Sequence, residues 1–281
     1  MLVAGYADIQ LMRILNSQTK LIHLDHGIGF AFPHRAYAGF DQRTMAGYRK
    51  DVSLFLAPNE TAAEFIRKGT PHVPCVVVGT PKMDKYVFSQ PASGMKMNRV
   101  GITFHWAQRD FPVPEASTAL PIYKNFIRLL PGDRKRLDLV GHAHPRERGK
   151  MEAVYRSEGV RVFDPNLENI LDNGGVFIAD ATSSQYEAIA AGLSVVFLNH
   201  PKWDEEANYG TRFWKYTDCG LHVWDPKQLL DTVRETMDSP GMFLEERAKA
   251  RRELYPFIGG SAKRAMMVIE EFVMHGTFSL M

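Results

Sequence analysis

Val176-Phe-Ile-Ala179, Asp180-Ala-Thr182-Ser183, Ser184-Gln-Tyr-Glu187-Ala-Ile-Ala-Ala191 and Ser194-Val-Val-Phe-Leu198 follow one another within a single stretch of the chain. The outer two are short, unbroken apolar runs, as strands buried on both faces of a parallel sheet require. Between them 184–191 has helical composition, and Gly192 reads as its C-cap. A strand, a helix and a second strand in so little sequence make a βαβ unit, whose two strands run parallel.

The same grammar extends in both directions. Upstream, the periodicity predicts strands at 99–104, 137–140 and 160–163, with helices at 120–130, 149–158 and 167–173; downstream it predicts a helix at 226–237. A further series stands nearer the start, with strands at 20–24, 52–57 and 75–78 and an amphipathic helix at 59–68. Pro91, Ser93 and Gly94 interrupt the pattern over 89–98 and mark a linker. The segment 244–275 is helix-rich but broken near Pro256 and Gly259-Gly260. The chain therefore reads as α/β, with two Rossmann-like, doubly wound lobes: a shortened first lobe at 1–94, a complete second lobe at 95–256, and a C-terminal crossover helix at 257–281 packing back on the first.

Composition allows this. With 281 residues, 45% of them apolar, there is material for two cores. A formal charge of +2 excludes a chain dominated by one sign, and the basic clusters Arg134-Lys135-Arg136 and Lys249 to Arg252 read as solvated faces. Cys75 and Cys219 are the two cysteines, too far apart in sequence for a zinc or redox motif, and both read as buried thiols. The first residues lack the character of a signal peptide, and no run has the length of a membrane span, so the expectation is a soluble, cytoplasmic protein without an integral membrane segment.

Chemistry-bearing residues collect where predicted strands end. In Leu21-Ile-His-Leu-Asp-His26-Gly27, an apolar run ends at a histidine followed by glycine, so His26 is the candidate general base; His23, within the strand, suits packing. Gly79-Thr-Pro-Lys82-Met-Asp84 reads as a sharp turn between lobes, with Lys82 in reach of a phosphate. Phe104-His105-Trp106-Ala-Gln-Arg109 offers His105 and Arg109 to a phosphate, while Trp106 either packs on a base or covers the core. His144-Pro145-Arg146 places a histidine and a guanidinium at a rigid strand exit, and no nearby acid completes a metal set. In the stretch quoted first, Asp180, Thr182, Ser183 and Ser184 meet the first turn of a helix, where an anion can be held without metal. Ser184-Gln-Tyr-Glu187 also matches a capping box, and Glu187 is placed to accept hydrogen bonds from a ribose or polyol.

At these residues the chain resembles the CDP-glycerol glycerophosphotransferases, the teichoic-acid polymerases and primases, and more broadly the GT-B glycosyltransferases. His26-Gly27 is similar to that family's His-Gly block, Gly79 to Asp84 to its Gly-x-Pro-Arg-x-Asp turn, His144-Pro145 to its His-Pro block, and Asp180 to Glu187 to its Asp-Tyr-Ser-Ser segment with a following acid. His105 and Trp106 stand where the family carries Pro-Thr. The resemblance, spanning roughly 20–224, implies a GT-B-like arrangement with the active site between two lobes. It makes His26 the base and His144 a catalytic donor-phosphate group, and gives the donor site Asp180, Thr182, Ser183 and Glu187.

The leading expectation is a metal-independent, cofactor-free transferase moving a glycosyl or polyol-phosphate group from a nucleotide-diphosphate donor to a hydroxyl of a polyol, glycan or modified nucleic acid. The donor-side residues would be His105, Arg109, Arg146, Asp180, Thr182, Ser183, Ser184 and Glu187. Three alternatives stay open. A non-hydrolysing UDP-sugar 2-epimerase needs a first-lobe acidic pair, for which Asp25 and Asp41 are candidates. A glycosyltransferase acting on modified nucleic acid and a non-catalytic nucleotide-sugar-binding module are the others. A homodimer could complete the short first lobe.

Overall fold

A computed structural model describes residues 2–3, 12, 18–25, 51–87, 98–107, 117–132, 137–162, 166–180, 182–202 and 216–276. The chain divides into two compact units, one comprising 1–88 with 251–281 and the other 89–250.

In the first unit, β1 (Leu2–Val3), β2 (Ile22–Leu24), β3 (Leu54–Ala57) and β4 (Cys75–Val77) pair side by side in that order, all parallel. Side chains alternate across a strand, so β3 supplies both faces of this sheet. Leu54 and Leu56 join Ile22, Val76 and Val78 in a cluster closed by Ala265 and Phe272 of the helix Ser261–His275. Phe55 and Ala57 face the other way, onto Ala63 and Ile66 of the helix Glu60–Gly69. Asn59 caps that helix, its Oδ1 accepting the Ala62 N–H at 2.9 Å. His23 is fully buried in β2, its ring edge-on to Phe55 with centroids 5.6 Å apart.

The Gly79–Asp84 stretch is held by the C-terminal helix. Gly79 adopts φ 89°, in the left-handed region, and a Cβ there would stand 2.4 Å from Ser261 Oγ. The chain then turns through a 3₁₀ helix, Pro81–Tyr86. Asp84 Oδ1 accepts the N–H groups of Gly259 at 2.8 Å and Ser261 at 3.0 Å, while Oδ2 accepts that of Ala262 at 2.8 Å. A carboxylate on the exposed N–H groups of a helix start satisfies them and opposes the helix dipole. The break expected near Pro256 and Gly259-Gly260 falls between Leu254 and Ser261, the ends of the two helices concerned.

The second unit carries β5 (Arg99–Thr103), β6 (Asp138–His142), β7 (Arg161–Val162), β8 (Val176–Ala179), β9 (Ser194–Leu198) and β10 (Gly220–Val223). Their order across the sheet is β10-β9-β8-β5-β6-β7, every pair parallel. Counted within this unit and read from the β7 edge, the order is third, second, first, fourth, fifth, sixth, which is that of the dinucleotide-binding doubly wound fold. β8 and β9 are buried along their whole length, as unbroken apolar strands must be. Truncating a fully buried ring such as Phe177 to alanine costs about 3–5 kcal/mol in such cores. Gly141 admits Tyr155 against β6, since a Cβ there would stand 2.7 Å from the ring. The Tyr155 hydroxyl then donates to His142 O at 3.0 Å.

Chain direction reverses across the sheet between β5 and β8. Ligands of open α/β sheets bind outside the carboxyl ends of the strands flanking such a reversal. The segments leaving β5, β6 and β8 are therefore the places to look for a site.

Candidate active site

Asp180, the first residue after β8, ties these exits together. Its Oδ1 accepts the His105 N–H beyond β5 at 2.6 Å, and its Oδ2 accepts the Thr118 hydroxyl at 2.9 Å and the Ala119 N–H at 2.8 Å. Ala119 is the N-cap of the helix Leu120–Ile127, so one carboxylate fixes the β5 exit, the start of that helix and its own strand. Asp180 is 2% exposed. Burial raises its pKa to about 6, even though three donors favour the charged form. Both of its oxygens accept hydrogen bonds from the protein. Through the His105 N–H it also fixes the backbone at the β5 exit.

An aromatic and basic cluster stands at the exits of β5 and β6. The ring centroids of His105 and Trp106 are 5.6 Å apart, those of Trp106 and His144 5.9 Å, and those of His105 and His144 6.2 Å. Arg146 lays its guanidinium over the Trp106 ring at 4.5 Å, within cation–π range. His105 Nδ1 lies 2.8 Å from Trp106 O and 3.2 Å from Ser117 O, and because both are carbonyl oxygens this nitrogen carries the proton. His144 caps the 3₁₀ turn Pro145–Glu147, its Nδ1 accepting the Arg146 N–H at 3.2 Å. That bond leaves Nε2 as the protonated nitrogen of the neutral ring. Burial, reinforced by the Arg146 charge, lowers the His144 pKa below its ordinary value, so near neutral pH it is an uncharged Nε2–H donor. Glu147 Oε2 accepts the Ala107 N–H at 2.9 Å and braces the β5 exit against the β6 exit.

The β8 exit supplies hydroxyls. Thr182 and Glu187 are nearly buried, at 7% and 8% exposed, and Ser183 and Ser184 are half-buried. Thr182 Oγ1 lies 3.2 Å from Ser184 Oγ and accepts the Ser184 N–H at 3.4 Å. The capping box expected at Ser184–Glu187 does not form. The helix runs Ser184–Ala190, so Ser184 is already helical, the N-cap is Ser183, and no side chain bonds from that position. Thr182 takes over the service to the first turn.

Of the residues singled out from the sequence, His105, His144 and Arg146 are brought together with Trp106. Thr182, Ser183 and Ser184 gather at the neighbouring exit, with Asp180 linking that exit to β5. β5 pairs with both β6 and β8, so these groups stand on adjacent strands, about 5 Å apart in a sheet. His26 and Arg109 lie outside the described residues. Sequence reading missed Thr118 and Glu147; the Ser-Thr pair just ahead of a predicted helix was the available signal for the first. It also missed the contact between the β9 exit and β10, in which Asn199 Nδ2 lies 3.0 Å from His222 Nδ1. Among the described residues, no group of three or more His, Cys, Asp or Glu side chains is gathered so as to hold a metal ion. Among them, too, no helix is long and apolar enough to cross a membrane.

No family model and no curated protein matches the sequence. Solved structures do. The chain is similar to a putative UDP-N-acetylglucosamine 2-epimerase from Listeria monocytogenes, with 17% identity over 99% of this chain and 75% of that one and a TM-score of 0.56. It is similar to MnaA of S. aureus in a co-structure with UDP, with 16% identity over 97% and 75% of the two chains and a TM-score of 0.60. It also resembles the wall teichoic acid polymerase TagF, with 12% identity over 93% and 70% and a TM-score of 0.61. At these identities the likeness carries the fold: a GT-B-like α/β protein with two Rossmann-like units.

Proposed function

We propose that the chain is a GT-B-type enzyme that takes a nucleotide-diphosphate-activated sugar or polyol phosphate and transfers the activated group to an acceptor hydroxyl without a metal ion. The observation that carries this reading is the gathering of His105, Trp106, His144 and Arg146 at the reversal point of a complete dinucleotide-type sheet. Arg146 supplies a fixed charge and His144 an Nε2–H donor to the diphosphate, while Trp106 offers a flat apolar face to the base. Thr182, Ser183 and Ser184 add hydroxyl donors at the β8 exit, and Glu187 accepts from the ribose or polyol.

In the reaction the acceptor oxygen bonds to the transferred carbon or phosphorus as the bond to the nucleotide breaks. The acceptor proton passes to the base, a role the family resemblance gives to His26. The electron pair of the breaking bond leaves on the nucleotide phosphate, where Arg146 and His144 offset the developing charge. Calorimetry with CDP-, UDP-, GDP- and TDP-linked donors in the presence of EDTA tests this; absence of binding to every donor sinks it.

A second reading, a non-hydrolysing UDP-sugar 2-epimerase, is favoured by the likeness to the Listeria monocytogenes structure. Incubation with UDP-N-acetylglucosamine and NMR detection of the C2 epimer separates the two.

A further inference from the structure

A cavity of 570 Å³ opens along the outer edge of the first unit's sheet, and all its lining residues belong to that unit. β4 is the last described strand on this side, pairing through Pro74 O and the Val78 N–H to β3, so the carbonyls of Cys75 and Val77 point outward. Two arginines cover them: Arg67 Nη2 donates to Cys75 O at 3.4 Å, and Arg264 Nε donates to Val77 O at 2.8 Å. Such cover keeps a bare edge from recruiting a foreign strand. It also fixes guanidinium groups around a hollow. Arg264 is further held 4.3 Å above the Phe257 ring, and Arg252, from the end of the helix Leu244–Leu254, reaches the same space. Arg67 is paired with Glu60, and Glu253 also lines the cavity; among the described residues neither Arg252 nor Arg264 forms an ion pair with a carboxylate.

We propose that this edge cavity binds a phosphate-bearing small organic molecule, with Arg252 and Arg264 on the phosphate and the Pro256–Phe257 wall against the attached skeleton. Three guanidinium groups against the carboxylates of Glu60 and Glu253 leave the lining net positive, and the planar forks of Arg252 and Arg264 suit phosphate oxygens. The volume lies within the range of small-molecule sites and exceeds what a bare ion needs. This site is separate from the donor site proposed above and stands or falls without it.

Inorganic pyrophosphate is the probe, and the Arg264 Nε–H resonance of the isotope-labelled full chain is the readout. The experiment is run on the natural sequence, on Arg252→Ala and on Arg146→Ala. A saturable shift of that resonance is expected, weakened at least about fivefold by Arg252→Ala and unchanged by Arg146→Ala. Because Arg252 is exposed, an unaltered amide spectrum will show that Arg252→Ala leaves the fold intact. No saturable shift, or a shift that survives Arg252→Ala but disappears in Arg146→Ala, overturns the proposal.

Discussion

Replacing Asp180 with asparagine keeps the volume of the side chain that organises the candidate site but removes its charge. The carboxylate accepts three donors, yet its pKa in the folded chain stands at about 6 against 3.8 for the ordinary group, so desolvation outweighs the bonds. The folded state therefore holds this proton more tightly than the unfolded chain does. Between the two pKa values the folded state is protonated and the unfolded state is not, so this group's contribution to stability is present at low pH and is lost as pH rises toward 6. Integrated from about pH 4.5 to about pH 7, the loss is about 2 kcal/mol. Asparagine cannot titrate. Whichever way its amide is turned, its NH₂ faces the N–H of either His105 or Ala119, leaving one backbone donor without an acceptor, at about 1–3 kcal/mol. Removal of the buried charge returns about 3 kcal/mol at neutral pH. The variant should thus match the natural sequence within about 1–2 kcal/mol near pH 7 and fall behind by about 2 kcal/mol more near pH 4.5. All four tryptophans, at 106, 203, 214 and 224, lie in the unit 89–250, so urea unfolding followed by tryptophan fluorescence reports on the unit that holds Asp180. A deficit of the variant that grows toward neutral pH would refute the reasoning, because it would mean that the three bonds outweigh the burial.

Other outcomes follow from the same geometry. Asp84→Ala removes the acceptor of three N–H groups at the start of the helix Ser261–His275 and should lower stability by about 1–2 kcal/mol, with amide hydrogen exchange at Ser261 and Ala262 accelerated while the helix Glu60–Gly69 keeps its protection. Nitrogen-15 NMR should find His144 as the Nε2–H tautomer, titrating below the ordinary histidine range, and Arg146→Ala should move that titration upward by removing a neighbouring positive charge. An Nδ1–H tautomer, or a downward movement, would count against the assigned environment.

The βαβ frame was legible because burial on both faces leaves no polar alternation: Val176–Ala179 and Ser194–Leu198 could hardly be anything but interior strands. β10, Gly220–Val223, escaped notice for the opposite reason, since a glycine and a histidine dilute a short strand at the sheet's border. Strand order was not written in periodicity either; it is set by which neighbours each strand finds. The candidate site shows the same division. Strand-exit residues such as His144 and Arg146 were visible as local motifs. The role of Asp180 was not, because its partners His105, Thr118 and Ala119 lie 75, 62 and 61 residues away. At Ser184 the capping-box pattern is present in the sequence but unused, because the helix starts at Ser184 itself and Thr182 accepts its N–H. Likewise, nothing local to Gly79–Asp84 announces that its carboxylate serves a helix starting 177 residues further on.

The central claim, that the reversal point of the second sheet holds a nucleotide diphosphate, is tested most directly by calorimetric titration of the full chain with UDP and with CDP in EDTA. The same titration is repeated on Arg146→Ala. Binding at one saturable site, weakened at least about tenfold by the loss of the guanidinium over Trp106, is the expected result. No binding of either nucleotide, or equal affinity with and without Arg146, would contradict it.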